Sequence, residues 1–146
     1  MRSFTKAELE YLKGQRLGRL ATVSPDGAPQ NNPVGFHYNP EARSLDIHGR
    51  YMGATRKWAN IHTNPRVALV IDDIASIDPW RVRGMEIRGE AEAMVTAIPP
   101  KGSVYDKTLS NEIIRIHPRR IISWGIDPTA EGMHKRNVEP DQRSMS

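Results

Sequence analysis

Apolar and polar residues alternate along much of this chain, and the period changes once, near the middle. The clearest alternation runs from Met85 to Val95. Met85, Ile87, Gly89, Ala91, Ala93 and Val95 fall on one face, and Glu86, Arg88, Glu90 and Glu92 on the other. That is the pattern of a strand with one face on a core. Leu17 to Val23 reads as a strand, Ala28 to Tyr38 as a second, and Leu45 and Ile47, alternating with Asp46 and His48, as a third. Val67-Ala68-Leu69-Val70-Ile71 is continuously apolar and predicts a strand buried on both faces. Glu112 to His117 and Arg119 to Ile126 read as two last strands separated by Pro118. Between strands three and four the period becomes helical, with Ala54, Trp58 and Ile61 at i, i+4 and i+7.

Turn and cap residues punctuate these segments. Thr5-Lys6-Ala7-Glu8 has the form of a capping box, and Leu9, Leu12 and Gly14 complete a short amphipathic helix. Ser24-Pro25-Asp26-Gly27 and Asn39-Pro40-Glu41-Ala42 mark turns. Pro29 and Pro33 remove two donors from the second strand, so some of it should lie at an edge or bulge. Asp72 to Asp78 reads as a polar connection, and Ile98 to Asp106 as a loop or lid. The expected fold is mainly β, an antiparallel barrel of six or seven strands with two short helices. Residues 1–130 form one domain in this reading, and 131–146 a polar C-terminal tail.

Composition narrows the function classes. Lysine and arginine number 21 against 17 acidic residues, a net charge of +4 scattered along the chain, so no nucleic-acid stripe emerges. There is no cysteine, which excludes disulfides, thiolate metal sites and cysteine nucleophiles. The five histidines, His37, His48, His62, His117 and His134, lack ligand spacing, and Ser24 and Ser123 lack a nearby base pattern. No apolar run reaches membrane-spanning length, and the first residues lack a signal-peptide apolar region. The expectation is a cytoplasmic protein that acts on a small molecule, away from membranes and nucleic acid.

The central helix carries the strongest chemical signal. Gly53 is expected at the turn into it and Pro65 near its end. Thr55, Arg56 and Lys57 then crowd the first turn, and Lys57, Asn60 and Asn64 share a polar face. A helix N-terminus is already electropositive, so basic residues there suit a bound anion, most simply a phosphate. The alternative is a solvated basic face.

At this point a family resemblance enters. Leu17 to Pro29 resembles the opening hairpin of the pyridoxamine-phosphate-oxidase-like split β-barrel family. Arg56-Lys57-Trp58-Ala59-Asn60-Ile61 with Asn64-Pro65-Arg66-Val67 is similar to its helix and following strand. Trp80 to Glu92 and Ile116 to Gly125 resemble the long strand and closing strands of its actinobacterial branch. The resemblance covers roughly residues 4–126. It implies an FMN-binding-type split barrel, homodimeric, with two cofactor sites at the subunit interface. It implies coenzyme F-420 (8-hydroxy-5-deazaflavin), with FMN as the alternative. It places Lys57 on the cofactor phosphate and Asn60 nearby, the backbone of Asn32, Pro33 and Val34 beside the ring system, and Trp80 where the other subunit supplies an aromatic. Arg119 to Gly125 departs from the basic substrate-binding motif of true pyridoxamine-phosphate oxidases, which argues against that reaction.

The implied activity is an oxidoreductase that passes hydride from reduced F-420 to an activated C=C or C=N of a small organic substrate. An FMN oxidoreductase and a non-catalytic carrier stand as alternatives. Tyr51 and His48 are candidate proton donors or ordinary packing residues. Trp80 either covers a cofactor or packs at an interface. Arg81, Arg83 and Arg88 offer cations for an acidic cofactor tail, although Arg88 between Glu86 and Glu90 also suits a cross-strand salt pair.

Overall fold

Seven antiparallel strands form one sheet, with α-helices at its two ends, in a computed structural model that describes residues 4–96, 109–127, 129 and 131–140. The elements in chain order are α1 (Lys6–Lys13), β1 (Leu17–Val23), β2 (Pro29–Asn39), β3 (Ser44–Ile47), a 3-10 turn (Met52–Ala54), α2 (Arg56–Thr63), β4 (Arg66–Ser76), β5 (Arg81–Val95), β6 (Glu112–Trp124) and β7 (Met133–Asn137). Strand order is β3-β2-β1-β4-β5-β6-β7, and β3 also pairs with β6, so the sheet turns back on itself. The inward faces supply the core: Leu20 from β1, Leu45 and Ile47 from β3, Leu69 and Ile71 from β4, Met85 and Ile87 from β5, and Ile114, Ile116 and Ile121 from β6 are all buried. No helix among the described residues is long and apolar enough to cross a membrane.

Local chemistry explains the turns. Gly27 takes φ +90°, and its N–H donates to the Ser24 carbonyl at 2.9 Å, closing the β1–β2 hairpin. Asn39 Oδ1 accepts from the N–H groups of Glu41 and Ala42, an Asx turn between β2 and β3. The capping box of α1 is complete: Glu8 N–H donates to Thr5 Oγ1, and Thr5 N–H donates to Glu8 Oε1. Glu8 also receives Arg136 of β7, which ties the first helix to the last strand.

The strands differ from the sequence expectation in four places. Asp72 to Ser76 is not a connection but the distal arm of β4, where Asp73 faces Arg83 of β5 and accepts two hydrogen bonds from it at 2.8 Å. Within β4, Val67, Leu69 and Ile71 are buried but Ala68 and Val70 are only half-buried, so the strand alternates. Pro118 does not end a strand. β6 runs through it with a bulge, because Gly89 lets the His117 carbonyl approach so closely that a Cβ there would lie 2.2 Å from it. Finally, residues 133–137 of the expected tail pair with β6 as β7, and Val138 is buried beyond them. The expected lid, 98–106, lies outside the described residues.

The two helices sit at opposite ends of the sheet. Tyr11 of α1 donates to Asp73 at the far end of β4. Asn60 of α2 reaches Thr22 at the end of β1 and Gln30 at the start of β2. The end marked by α2 holds Thr55, Arg56, Lys57 and Asn60.

Candidate functional site

The path into α2 starts at Tyr51, which adopts a left-handed conformation (φ 52°, ψ 40°) and is 78% exposed. The turn residue is therefore Tyr51 rather than the expected Gly53. Gly53 lies in the 3-10 turn, against the Glu112 side chain. Met52 is buried, and its N–H donates to Ser110 Oγ at 3.0 Å, which pins the turn to the chain entering β6. Ala54 is exposed and outside the helix, so only Trp58 and Ile61 of the expected apolar face pack on the core.

Thr55 is the N-cap. Its Oγ1 accepts from Trp58 N–H and donates to the Met52 carbonyl at 2.7 Å. The first helical turn then holds Arg56 and Lys57 and no acid. Arg56 is exposed, Lys57 is half-buried, and neither side chain has a hydrogen-bond or ion-pair partner among the described residues. Burial pushes the Lys57 ammonium below its ordinary pKa. Two cations beside the positive end of a helix, one of them partly desolvated, are an unbalanced arrangement that an anion would relieve.

The side chain of Asn60 is turned inward. It is 2% exposed, and its Nδ2 donates to Thr22 Oγ1 at 3.0 Å and to Gln30 Oε1 at 2.8 Å. Its amide therefore bolts α2 onto β1 and β2. Lys57 lies one turn before Asn60 on the same helix face. Thr22 and Gln30 carried no sequence signal of this role, since each reads as an ordinary strand residue.

Gln30, Asn32 and Val34 alternate on one face of β2. Asn32 is exposed beside Gln30, whereas the Val34 side chain lies in the core and offers only its backbone to a ligand. Pro33 faces the other way, opposite Arg19. β3 pairs with β2 only over Phe36–Asn39, so residues 29–35 have a ladder partner, β1, on one side alone among the described strands. This edge accommodates Pro29 and Pro33, and near α2 it presents backbone groups with no ladder partner among the described strands.

Trp80 is not brought to this site. It is 64% exposed in the turn between β4 and β5, after a cis Asp78–Pro79 peptide. α2 adjoins the first residue of β4, whose eleven residues then span roughly 30 Å before that turn. The other candidates are engaged elsewhere. Arg88 grips Glu86 of its own strand through two 3.0 Å hydrogen bonds, not a cross-strand partner. Arg83 holds Asp73. His48 stacks on His37 at 4.7 Å, and both its ring nitrogens are buried without a partner. Burial, reinforced by His37, pushes its pKa down to about 4, so it is neutral at pH 7 and has no imidazolium proton to give.

Comparison with known proteins fits this geometry. The chain is 43% identical over 136 residues to the 5a,11a-dehydrotetracycline/5a,11a-dehydrooxytetracycline reductase of Streptomyces rimosus, covering 92% of this chain and 93% of that one. A solved F-420 reductase superposes with a TM-score of 0.56 at 27% identity, over 77% of this chain and 94% of its own. A conserved hypothetical protein from Mycobacterium tuberculosis shares the fold, with a TM-score of 0.64 at 21% identity and coverage of 84% and 86%. Residues 4–125, nearly the whole described sheet and both helices, match the pyridoxamine 5'-phosphate oxidase family, and the chain belongs to that family.

Proposed function

We propose that this protein is an oxidoreductase dependent on coenzyme F-420, and that its substrate carries an activated C=C within a polycyclic enone. The observation that carries this reading is the 43% identity, along nearly the full length of both chains, to a reductase of dehydrotetracyclines. Arg56 and Lys57 in the first turn of α2, which have no partner among the described residues, support it, because F-420 and FMN both carry a phosphate.

Bound in its reduced form, the deazaflavin supplies a hydride. The protein's own residues do the rest. Thr55 fixes the helix start, and Lys57 and Arg56 meet the phosphate at the helix N-terminus. Asn60 holds that helix against β2, and the open edge at Asn32–Val34 aligns the ring system through backbone groups. No residue of the described chain stands out as a proton donor, which leaves water or exposed Tyr51 for that step. Trp80 lies too far from α2 to complete the same site, so a homodimer in which the partner's turn covers the ring fits the geometry.

The test is a titration of the purified protein with F-420 and with FMN, followed by turnover on 5a,11a-dehydrotetracycline. The reading predicts tighter binding of F-420 and consumption of its reduced form only when the enone is present. Tighter binding of FMN makes the protein an FMN oxidoreductase. Tight binding of F-420 with no reduction of any enone makes it a carrier.

A further inference from the structure

A cavity of about 600 Å³ opens at the end of the sheet away from α2, between α1 and the distal half of β2. Its apolar lining comes from Phe4, Leu9, Phe36 and Tyr38, with Phe4 and Tyr38 in edge contact at 5.5 Å. Leu9, Phe36 and Tyr38 are only partly buried, so apolar and aromatic surface is left uncovered toward the opening. The volume suits a ligand of two or three fused rings. Lys6 and Lys13 stand at the rim. Lys6 has no partner among the described residues, and Lys13 has only exposed Glu10 at 3.5 Å. The other polar lining residues are Glu10, Gln15, which donates to Asp73, and His37, which stacks on His48 and lies 4.0 Å from Asp46, so the two lysines outnumber the one acid.

We infer that this cavity binds a planar aromatic anion, with the rings against Phe36, Tyr38 and Leu9 and the acid group beside Lys6. Flat rings match the aromatic lining, and the Lys6 ammonium at the rim complements the charge. The site is separate from the α2 end, which touches β2 at Gln30 rather than at Phe36–Pro40. The inference therefore stands whether the protein uses F-420, FMN or neither. Nothing covalent is involved. An occupant that contacts both α1 and β2 also holds the N-terminal helix onto the sheet, and so raises the melting temperature.

The probe is 2-naphthoate, titrated into the ¹⁵N-labelled full-length protein and followed by ¹H–¹⁵N correlation spectra. Saturable shifts are expected at Leu9, Phe36 and Tyr38. Lys6→Glu, an exposed change that leaves the fold intact, should raise Kd about threefold or more. Neutral 2-naphthylmethanol should bind more weakly by a similar factor, and Leu9→Trp should fill the cavity and remove the shifts. Lys57→Ala should leave naphthoate affinity unchanged, which separates this site from the proposed cofactor site. The inference is overturned by the absence of saturable shifts at millimolar probe, by shifts confined to α2, or by equal affinity for the neutral analogue. An unchanged Kd in Lys6→Glu also overturns it.

Discussion

The side-chain amide of Asn60 donates to Gln30 Oε1 at 2.8 Å, and this bond sets where the first turn of α2 lies relative to the open edge of β2. Because Asn60 also donates to Thr22 Oγ1, its replacement leaves one buried acceptor, on Thr22, and one half-buried acceptor, on Gln30, short of a donor. Asn60→Ala should cost about 2 kcal/mol of stability, and lower the melting temperature by about 4–8 °C. Calorimetry of the apo-protein checks it. A variant as stable as the wild type means that α2 does not depend on this clamp.

Lys57→Ala should behave in the opposite way. Its amine has no partner among the described residues, so the fold should keep its melting temperature. Cofactor binding should weaken by about 1.5–3 kcal/mol, the range for a hydrogen bond to a charged group. That is about tenfold to more than a hundredfold in Kd, measurable by fluorescence titration. An unchanged Kd moves the phosphate away from α2.

The join between β3 and β6 rests on Asp46 and Arg115. The guanidinium donates to both carboxylate oxygens at 3.0 Å, and Asn39 and Ser44 add further bonds. Burial alone would raise the Asp46 pKa, but these donors outweigh it and hold it below the ordinary value. Arg115→Met should therefore leave a buried, uncompensated carboxylate and destabilise the protein by about 3–5 kcal/mol. Urea unfolding measures this, and a loss below about 1 kcal/mol means the pair is effectively solvated.

Acid sensitivity should concentrate at His48. Its folded pKa is about 4, against an ordinary 6.5. Between those values the unfolded chain binds more protons than the folded one, so stability falls as the pH drops through that window. The groups facing it are His37, stacked on the ring, and Asp46, held in turn by Arg115. From pH 7 to pH 5 the loss should be on the order of 2 kcal/mol. His48→Phe keeps a ring in the stack and removes the titration, so its stability should vary less over the same range. Equal slopes in both proteins place the acid sensitivity elsewhere.

Much of the fold could be read from the chain because period-2 burial is local. Met85, Ile87 and Ala91 lie inward as their alternation requires, and Thr5 and Glu8 cap α1 as their spacing implies. β7 was hidden because Met133-His134-Lys135-Arg136-Asn137 has no apolar alternation. It is held by its ladder to β6 and by the bond from Arg136 to Glu8, which is distant in sequence. The distal arm of β4 was hidden for the same reason, since Asp73 is held in a strand by distant partners, Arg83 across the ladder and Tyr11 of α1. At the site, the crowding of Arg56 and Lys57 was visible because it lies within one turn. The inward role of Asn60 was not, because its partners are 38 and 30 residues away.

The placement of Lys57 and Trp80 at opposite ends of the sheet has a genetic consequence. If each site in a homodimer draws its lysine from one subunit and its tryptophan from the other, the two single defects are separable. Lys57→Ala and Trp80→Ala homodimers would each have two damaged sites. A mixed dimer would collect both defects in one site and leave the other whole. Unfolding and refolding the two inactive variants together at equal concentration should restore about a quarter of wild-type sites, through random subunit pairing. The same mixture of chains carrying both substitutions should restore none, so the recovered activity itself reports which subunit supplies each half of a site.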